Sequence, residues 1–234
     1  LPLLLLLAVY ALASVLNLGV PDSGARYPRT ALHFGELMRT FGRGNATLWR
    51  DEEGGMSLAA TTIFWGAGAT LQFAVLRWAV DVLGLTLDRA AYLQAAVAVG
   101  VVAGATAAGR WVALRHAKQL LAAGVLMGLL IPLVASVRSI VLVVPLLALV
   151  GLVGGFMVVP LNALLQHRGC ALLTSGRSIA VQGFNENLSV LVMLAVYAGL
   201  LAQGASIVTT LQLLGFFVAV AVCALMLREH LRDA

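Results

Sequence analysis

The sequence predicts an all-α polytopic membrane protein, and three observations carry that reading. The 234 residues are 61% hydrophobic and 11% charged, whereas a soluble domain is roughly 45–50% apolar and about 25% charged. Six apolar runs follow a long polar stretch, each of roughly 18–25 residues and long enough for a hydrocarbon core of about 30 Å. Lys and Arg collect in alternate connections between the runs. Backbone groups inside a bilayer must be satisfied within their own segment, so runs of this kind are read as helices.

Residues 1–20 form a further apolar run, read as a transmembrane helix clipped at its start. The chain opens on Leu1 and shows neither the basic leader nor the small-residue cleavage site of a signal peptide. A fragment is therefore expected. Residues 21–57 follow as a polar connection carrying Arg26, Arg29, Arg39, Arg43 and Arg50. Within it Phe34, Leu37, Met38 and Phe41 recur at i, i+3, i+4 and i+7, opposite Glu36, Arg39 and Arg43. That spacing predicts a short amphipathic helix, lying on the membrane surface or linking two bundles. Spans are then expected over 58–83, 90–114, 118–137, 140–165, 178–202 and 207–228, with 229–234 as a tail. The span over 90–114 is rich in small residues, and its Gly100 and Gly104 form a GxxxG that lets helix backbones approach closely.

Twelve of the 15 Lys and Arg lie in the long connection, the turns at 110–118 and 166–177, and the C-terminal end; the turns between hold only Arg89 and Arg138. The positive-inside rule places the long connection, the basic turns and the C-terminus in the cytoplasm. The net charge of +5 is thus a topology signal and carries no nucleic-acid reading. Arg110, Arg115 and Lys118 are expected to meet lipid headgroups or to follow this bias. Cys170 and Cys223 have no paired spacing, so neither a disulfide framework nor a metal site is expected. His33, His116, His167 and His230 fall in connections or near helix ends and are read as surface residues. Trp49, Trp78 and Trp111 are expected at the membrane interface. The sequence has no H-E-x-x-H, no G-x-S-x-G and no phosphate-binding G-x-x-x-x-G-K-[ST]. No enzymatic activity and no cofactor are expected, and transport, which breaks no covalent bond, makes recognition the chemistry to look for.

Polar groups at membrane depth are costly, about 2.5–3.5 kcal/mol for a charge, and so mark functional positions. Gln182, Asn185, Glu186 and Ser189 fall at i, i+3, i+4 and i+7 and line one helical face, with Asn187 elsewhere. Glu186 is the only acidic residue well inside a span. It can pair a solute ammonium, bind a coupling cation or close a salt bridge between helices; the whole set can equally serve as interhelical hydrogen bonds. In the first span after the connection, Trp65, Ala69, Gln72 and Leu76 share a face, read as a solute face or a packing motif. Gly66 and Gly68 loosen that helix or admit a neighbour. Arg77 and Asp81, four apart, can form an intrahelical pair and are read as an anchor. Pro160 removes a backbone hydrogen bond; with Asn162 and Gln166 beyond it, the position suits a gate or an ordinary helix end.

One span, a long basic connection, then six spans and a cytoplasmic tail is what remains of a twelve-span transporter without its first five helices. Major facilitator proteins have two such halves with the solute between them near midmembrane. The segments FWGAGATL at 64–71, GGFMVVPLNALLQHRG at 154–169 and IAVQGFNENLSVLVMLAVY at 179–197 resemble bacterial lysophospholipid transporters of the major facilitator superfamily. The likeness covers residues 58–228, and PLNALLQ followed by AVQ-x-x-x-EN is its most specific part. It implies the C-terminal six-helix bundle of such a transporter, preceded by the last helix of the N-terminal half. It implies flipping of lysophospholipids, chiefly lysophosphatidylethanolamine, to the inner leaflet of the bacterial inner membrane by alternating access. The partners it implies are membrane lipids, the N-terminal half, and an acyltransferase with acyl-carrier-protein synthetase activity that reacylates the product. In that family the position of Gln72 often carries a basic residue suited to the lipid phosphate. Here it is neutral, and Arg77 sits roughly 140° further around the helix. A drug or small-solute exporter, and a membrane scaffold subunit for a lipid acyltransferase, are the alternative readings.

Overall fold

The computed structural model describes residues 2–21, 24 and 33–233. Among them are eight α-helices, one 3₁₀ segment and no strand. Six helices are long and apolar enough to cross a membrane, and the chain is a multi-pass membrane protein.

The chain divides into two compact units, residues 1–37 and 38–234. The first holds α1 (Pro2–Asn17), an apolar helix of 16 residues. At 1.5 Å per residue its described length is about 24 Å. The boundary falls within the first turns of α2 (Phe34–Arg50). The second unit comprises the rest of α2, then α3 (Glu52–Asp81), α4 (Leu87–Trp111), a 3₁₀ segment (Leu114–Leu120), α5 (Leu121–Ser136), α6 (Ile140–Leu172), α7 (Ser175–Ala202) and α8 (Ile207–Asp233).

From residue 33 onward the polar connection is helical almost throughout. The amphipathic stripe continues past Phe41 through Gly44 to Leu48, and Leu48 is buried among Leu58, Leu165 and Val181. After Arg50 the chain turns at Asp51, whose carboxylate accepts the Gly54 N–H at 2.7 Å and caps α3. Glu52 and Glu53 follow in the first turn, where carboxylates favour the positive end of the helix. The span therefore begins at Glu52 and not at 58, and residues 54–60 are already buried. Other boundaries shift as well. Residues 118–120 belong to the 3₁₀ segment, and α8 runs through the expected tail, burying Glu229. Pro160 does not end its helix, since α6 continues to Leu172; the helix-end reading of Pro160 is set aside.

The helices pack chiefly in pairs, α4 with α6, α5 with α8 and α3 with α7, and glycine sits at each crossing. A Cβ on Gly100 or Gly104 would overlap the carbonyl oxygens of Ala148 and Leu152, while one on Gly151 or Gly155 would overlap those of Val97 and Val101. The GxxxG of α4 thus meets a second one on α6. Gly128 and Gly215 play this part between α5 and α8, and Gly66 does so between α3 and α7. Close backbone approach is what small residues provide where no hydrophobic gain separates helix from lipid.

The main core is buried along an α3 stripe that includes Leu71, Ala74, Val75 and Trp78. Trp78 is wholly buried and is no interfacial anchor: it lies one and two turns beyond Ala74 and Leu71 on the stripe facing the other helices. Trp49 also turns inward, as described below. Trp111 is 74% exposed.

Charges gather at the end of the bundle where α3 and α7 begin. Arg168 of α6 meets Asp51 through two hydrogen bonds, Nε to Oδ1 at 3.0 Å and Nη2 to Oδ2 at 2.5 Å, and lies 3.6 Å from Glu53. Lys118 reaches Glu52 at 2.7 Å and Glu229 at 3.7 Å, and Glu229 is also flanked by Arg228 and Arg232. Lys118 therefore has protein partners on α3 and α8. The Arg168 guanidinium, helped by the Gly54 N–H, holds the Asp51 carboxyl below its ordinary value of 3.8 against the opposing effect of burial. Because the folded-state pKa is the lower one, the pair's contribution is complete at neutral pH. It is lost as acidity rises through that lowered value, below pH 3.8. Asp51→Ala removes the cap and the pair together and is expected to cost about 2 kcal/mol, read as a lowered melting temperature in detergent. Arg168→Ala, which leaves the cap, should cost less.

Candidate solute-binding site

The first half of α7 carries the polar face predicted from spacing, and α2, α3 and α6 pack around it. Gln182 is buried and donates through Nε2 to Asn162 Oδ1 on α6 at 2.6 Å and to Glu186 Oε1 one turn along at 2.9 Å. The Thr61 hydroxyl on α3 donates to its own helix, to the Leu58 carbonyl at 3.2 Å. Glu186 itself is half-buried, and among the described residues no Lys or Arg pairs with it. Ser189 lies against Gly66, where a Cβ would overlap its hydroxyl and the Met193 sulfur. Gly66 thus admits a neighbour, whereas Gly68 has open space beside it.

Asn185 faces a different partner. Its Nδ2 donates to Asn45 Oδ1 of α2 at 2.7 Å and to the Val181 carbonyl at 2.8 Å, and its Oδ1 accepts from Trp49 Nε1 at 3.1 Å. Next to it Phe41 and Phe184 meet edge to face at 5.1 Å. Both ends of the Asn185 amide are engaged in holding α2 to α7, the interhelical role that the spacing left open. Asn45 and Trp49 stand four apart on α2, so one helical face presents both.

A separate cavity of about 520 Å³ is lined by α3, α4, α5 and α6, with Val190 from α7. Trp65, Gly68, Ala69 and Gln72 all line it, as does Gln94 of α4, which the spacing argument did not pick out. Gln94 donates through Nε2 to the Gln72 backbone carbonyl at 2.8 Å. The rest of the lining is apolar and includes Phe64, Met127 and Ile131.

The remaining candidates lie outside this arrangement. Arg77 and Asp81 form the expected pair at 3.2 Å, with both side chains about half exposed, which makes it a weak surface contact. Gln166 is exposed on α6. Asn187 points away and donates to the Gly183 carbonyl. The structure therefore brings together two sets: Gln182, Glu186 and Asn162 with Ser189 beside Gly66, and Trp65 and Gln72 in the cavity.

No family model matches the chain. The lysophospholipid transporter LplT of Citrobacter koseri is 39% identical over 218 residues, 92% of this chain and 54% of that protein. LplT of Cronobacter sakazakii is 43% identical over 191 residues, covering 81% and 48%. LplT of Yersinia enterocolitica is 41% identical over 202 residues, covering 86% and 50%. The chain is a homologue of these transporters. It spans about half the length of the curated relatives it matches. The aligned region takes in most or all of α3 to α8, the helices that build both the polar face and the cavity.

Proposed function

We propose that the chain is the C-terminal half of a lysophospholipid transporter of the major facilitator superfamily, preceded by the last helix of the N-terminal half. The transporter moves lysophosphatidylethanolamine to the inner leaflet of the bacterial inner membrane by alternating access. The observation that carries this reading is the 39–43% identity to LplT proteins over 81–92% of the chain. The geometry supports it. A one-tailed lipid needs polar groups for its head and an apolar slot for its tail; the Gln182–Glu186 face of α7 offers the first, and the cavity of little polarity, to which α7 contributes Val190, offers the second. Glu186 suits the ethanolamine ammonium. Gln72 leaves the cavity without the cation that related proteins often place there, so the phosphate is assigned to the N-terminal half. Lys and Arg concentrate at the end of the bundle where α3 and α7 begin, which supports a cytoplasmic position for that end. An acyltransferase with acyl-carrier-protein synthetase activity then reacylates the delivered lipid.

The complete transporter, expressed in cells lacking their own lysophospholipid transporter, is expected to restore lysophosphatidylethanolamine uptake by spheroplasts. Dye extrusion without lipid uptake would instead identify a drug or small-solute exporter. Reacylation that persists undiminished with Glu186→Ala would identify a scaffold for the acyltransferase.

A further inference from the structure

We propose that Gln94 is the residue that tells a one-tailed lipid from a two-tailed one, by accepting a hydrogen bond from the free glycerol hydroxyl. The inference rests on the lysophospholipid reading above and deepens it. The cavity of about 520 Å³ lies within the roughly 300–1,000 Å³ of small-molecule sites. Among the described residues no charged side chain lines it, and its polar side chains are Trp65, Gln72 and Gln94. Such a lining suits neither a phosphate nor an ammonium. It suits the uncharged middle of a lipid, the glycerol with its ester, and the start of the tail.

At that middle, one- and two-tailed lipids differ in a single group. The first carries a hydroxyl, which donates a hydrogen bond; the second carries an ester, which only accepts. A site that reads this difference must offer an acceptor. The Trp65 indole offers only a donor. Gln94 offers an acceptor whose direction is set. Its partner on α3 is the Gln72 backbone carbonyl, 2.8 Å away. A carbonyl only accepts, so the NH₂ end of the Gln94 amide must face it. The Oε1 end is the one left open, since no hydrogen bond reaches it among the described residues. Gln72's own side chain has no such tether, and either end of its amide can face the cavity. Gln94 is therefore the preorganised acceptor of the pair. A lipid with an ester in place of the hydroxyl would leave that oxygen unmatched in apolar surroundings and would need room for a second chain.

The test compares uptake of 1-acyl-2-hydroxy and 1-acyl-2-O-methyl glycerophosphoethanolamine by the complete transporter in spheroplasts. The methyl ether keeps one tail and removes only the donor. The unsubstituted transporter is expected to favour the hydroxy lipid roughly three- to tenfold, the effect of one neutral hydrogen bond. Gln94→Leu should bring that ratio close to one, through slower uptake of the hydroxy lipid at unchanged membrane abundance. Gln94→Met, which keeps the length of the side chain and lacks the acceptor, should do the same and serves if the leucine variant is not made. Equal loss of both lipids, or an unchanged ratio, would overturn the proposal and leave Gln94 as a tie between α4 and α3. Equal uptake of both lipids by the unsubstituted transporter would overturn it while leaving lysophospholipid transport standing. Uptake of neither would overturn the transport reading itself.

Discussion

Gly104→Leu is expected to remove most of the folded protein from the membrane. A Cβ at Gly104 would overlap the Leu152 carbonyl oxygen and lie 2.8 Å from the Phe156 amide nitrogen. These are backbone atoms of α6, and they cannot step aside as a flexible side chain can. The two helices would have to separate, and the reciprocal approach at Gly151 and Gly155 would open with them. Overpacking a well-filled core costs typically about 1–3 kcal/mol. The backbone-to-backbone geometry places this substitution at or above the top of that range. For a chain of this size about 3 kcal/mol corresponds to a melting temperature lower by roughly 6–12 °C. Gly109→Leu supplies the control on the same helix, because nothing lies within 4 Å of its Cβ position. Thermal unfolding in detergent, read beside membrane abundance, should separate the two variants. If Gly104→Leu melts with Gly109→Leu, the α4–α6 crossing is not the contact that sets the bundle.

The same crossing shows what the sequence discloses and what it withholds. Six long apolar runs, with basic residues gathered in alternate connections, were enough to place the spans, because a bilayer demands length and apolarity and little else. Gly100 and Gly104 were visible as a motif, but in a chain with 24 glycines the motif does not name its partner. Gly151 and Gly155 repeat the spacing, and only the packing shows that the two pairs face each other. Trp78 and Trp111 both stand near a span end. The first is buried and the second exposed, a difference set by the helical stripe each occupies. The start of α3 was misplaced because Asp51, Glu52 and Glu53 look like connection, whereas an acidic first turn is what a helix N-terminus favours. The polar face of α7 was legible from its i, i+3, i+4 and i+7 spacing, but its division was not. Asn185 turns to α2 because Asn45 and Trp49 are there to meet it. Gln94 escaped notice because its partner is a backbone carbonyl, which no pattern of side chains announces.

Glu186→Ala and Gln182→Ala are expected to lower lysophosphatidylethanolamine uptake by the complete transporter roughly ten- to a hundredfold at unchanged membrane abundance, the range for losing one charged hydrogen bond. The reasoning turns on how Gln182 is held. Its NH₂ group serves Asn162 and Glu186 at once, so the carboxylate's position on the α7 face is fixed by a neighbour that is itself anchored to α6. Removing Gln182 releases the carboxylate; removing Glu186 deletes the charge. Either change would also weaken a purely structural network, so alanine alone does not separate recognition from packing. Glu186→Gln does. Its side-chain oxygen can still accept from Gln182, and the shape is kept, but the negative charge that would meet an ethanolamine ammonium is gone. With solute recognition at Glu186, the glutamine variant is expected to transport as poorly as the alanine one while melting like the unsubstituted protein. With a structural role alone, glutamine would restore uptake. A lysophospholipid with an uncharged glycerol headgroup sharpens the reading, because it has no ammonium to lose. Its uptake should be nearly indifferent to Glu186→Gln, so the variant should shift headgroup preference as well as rate.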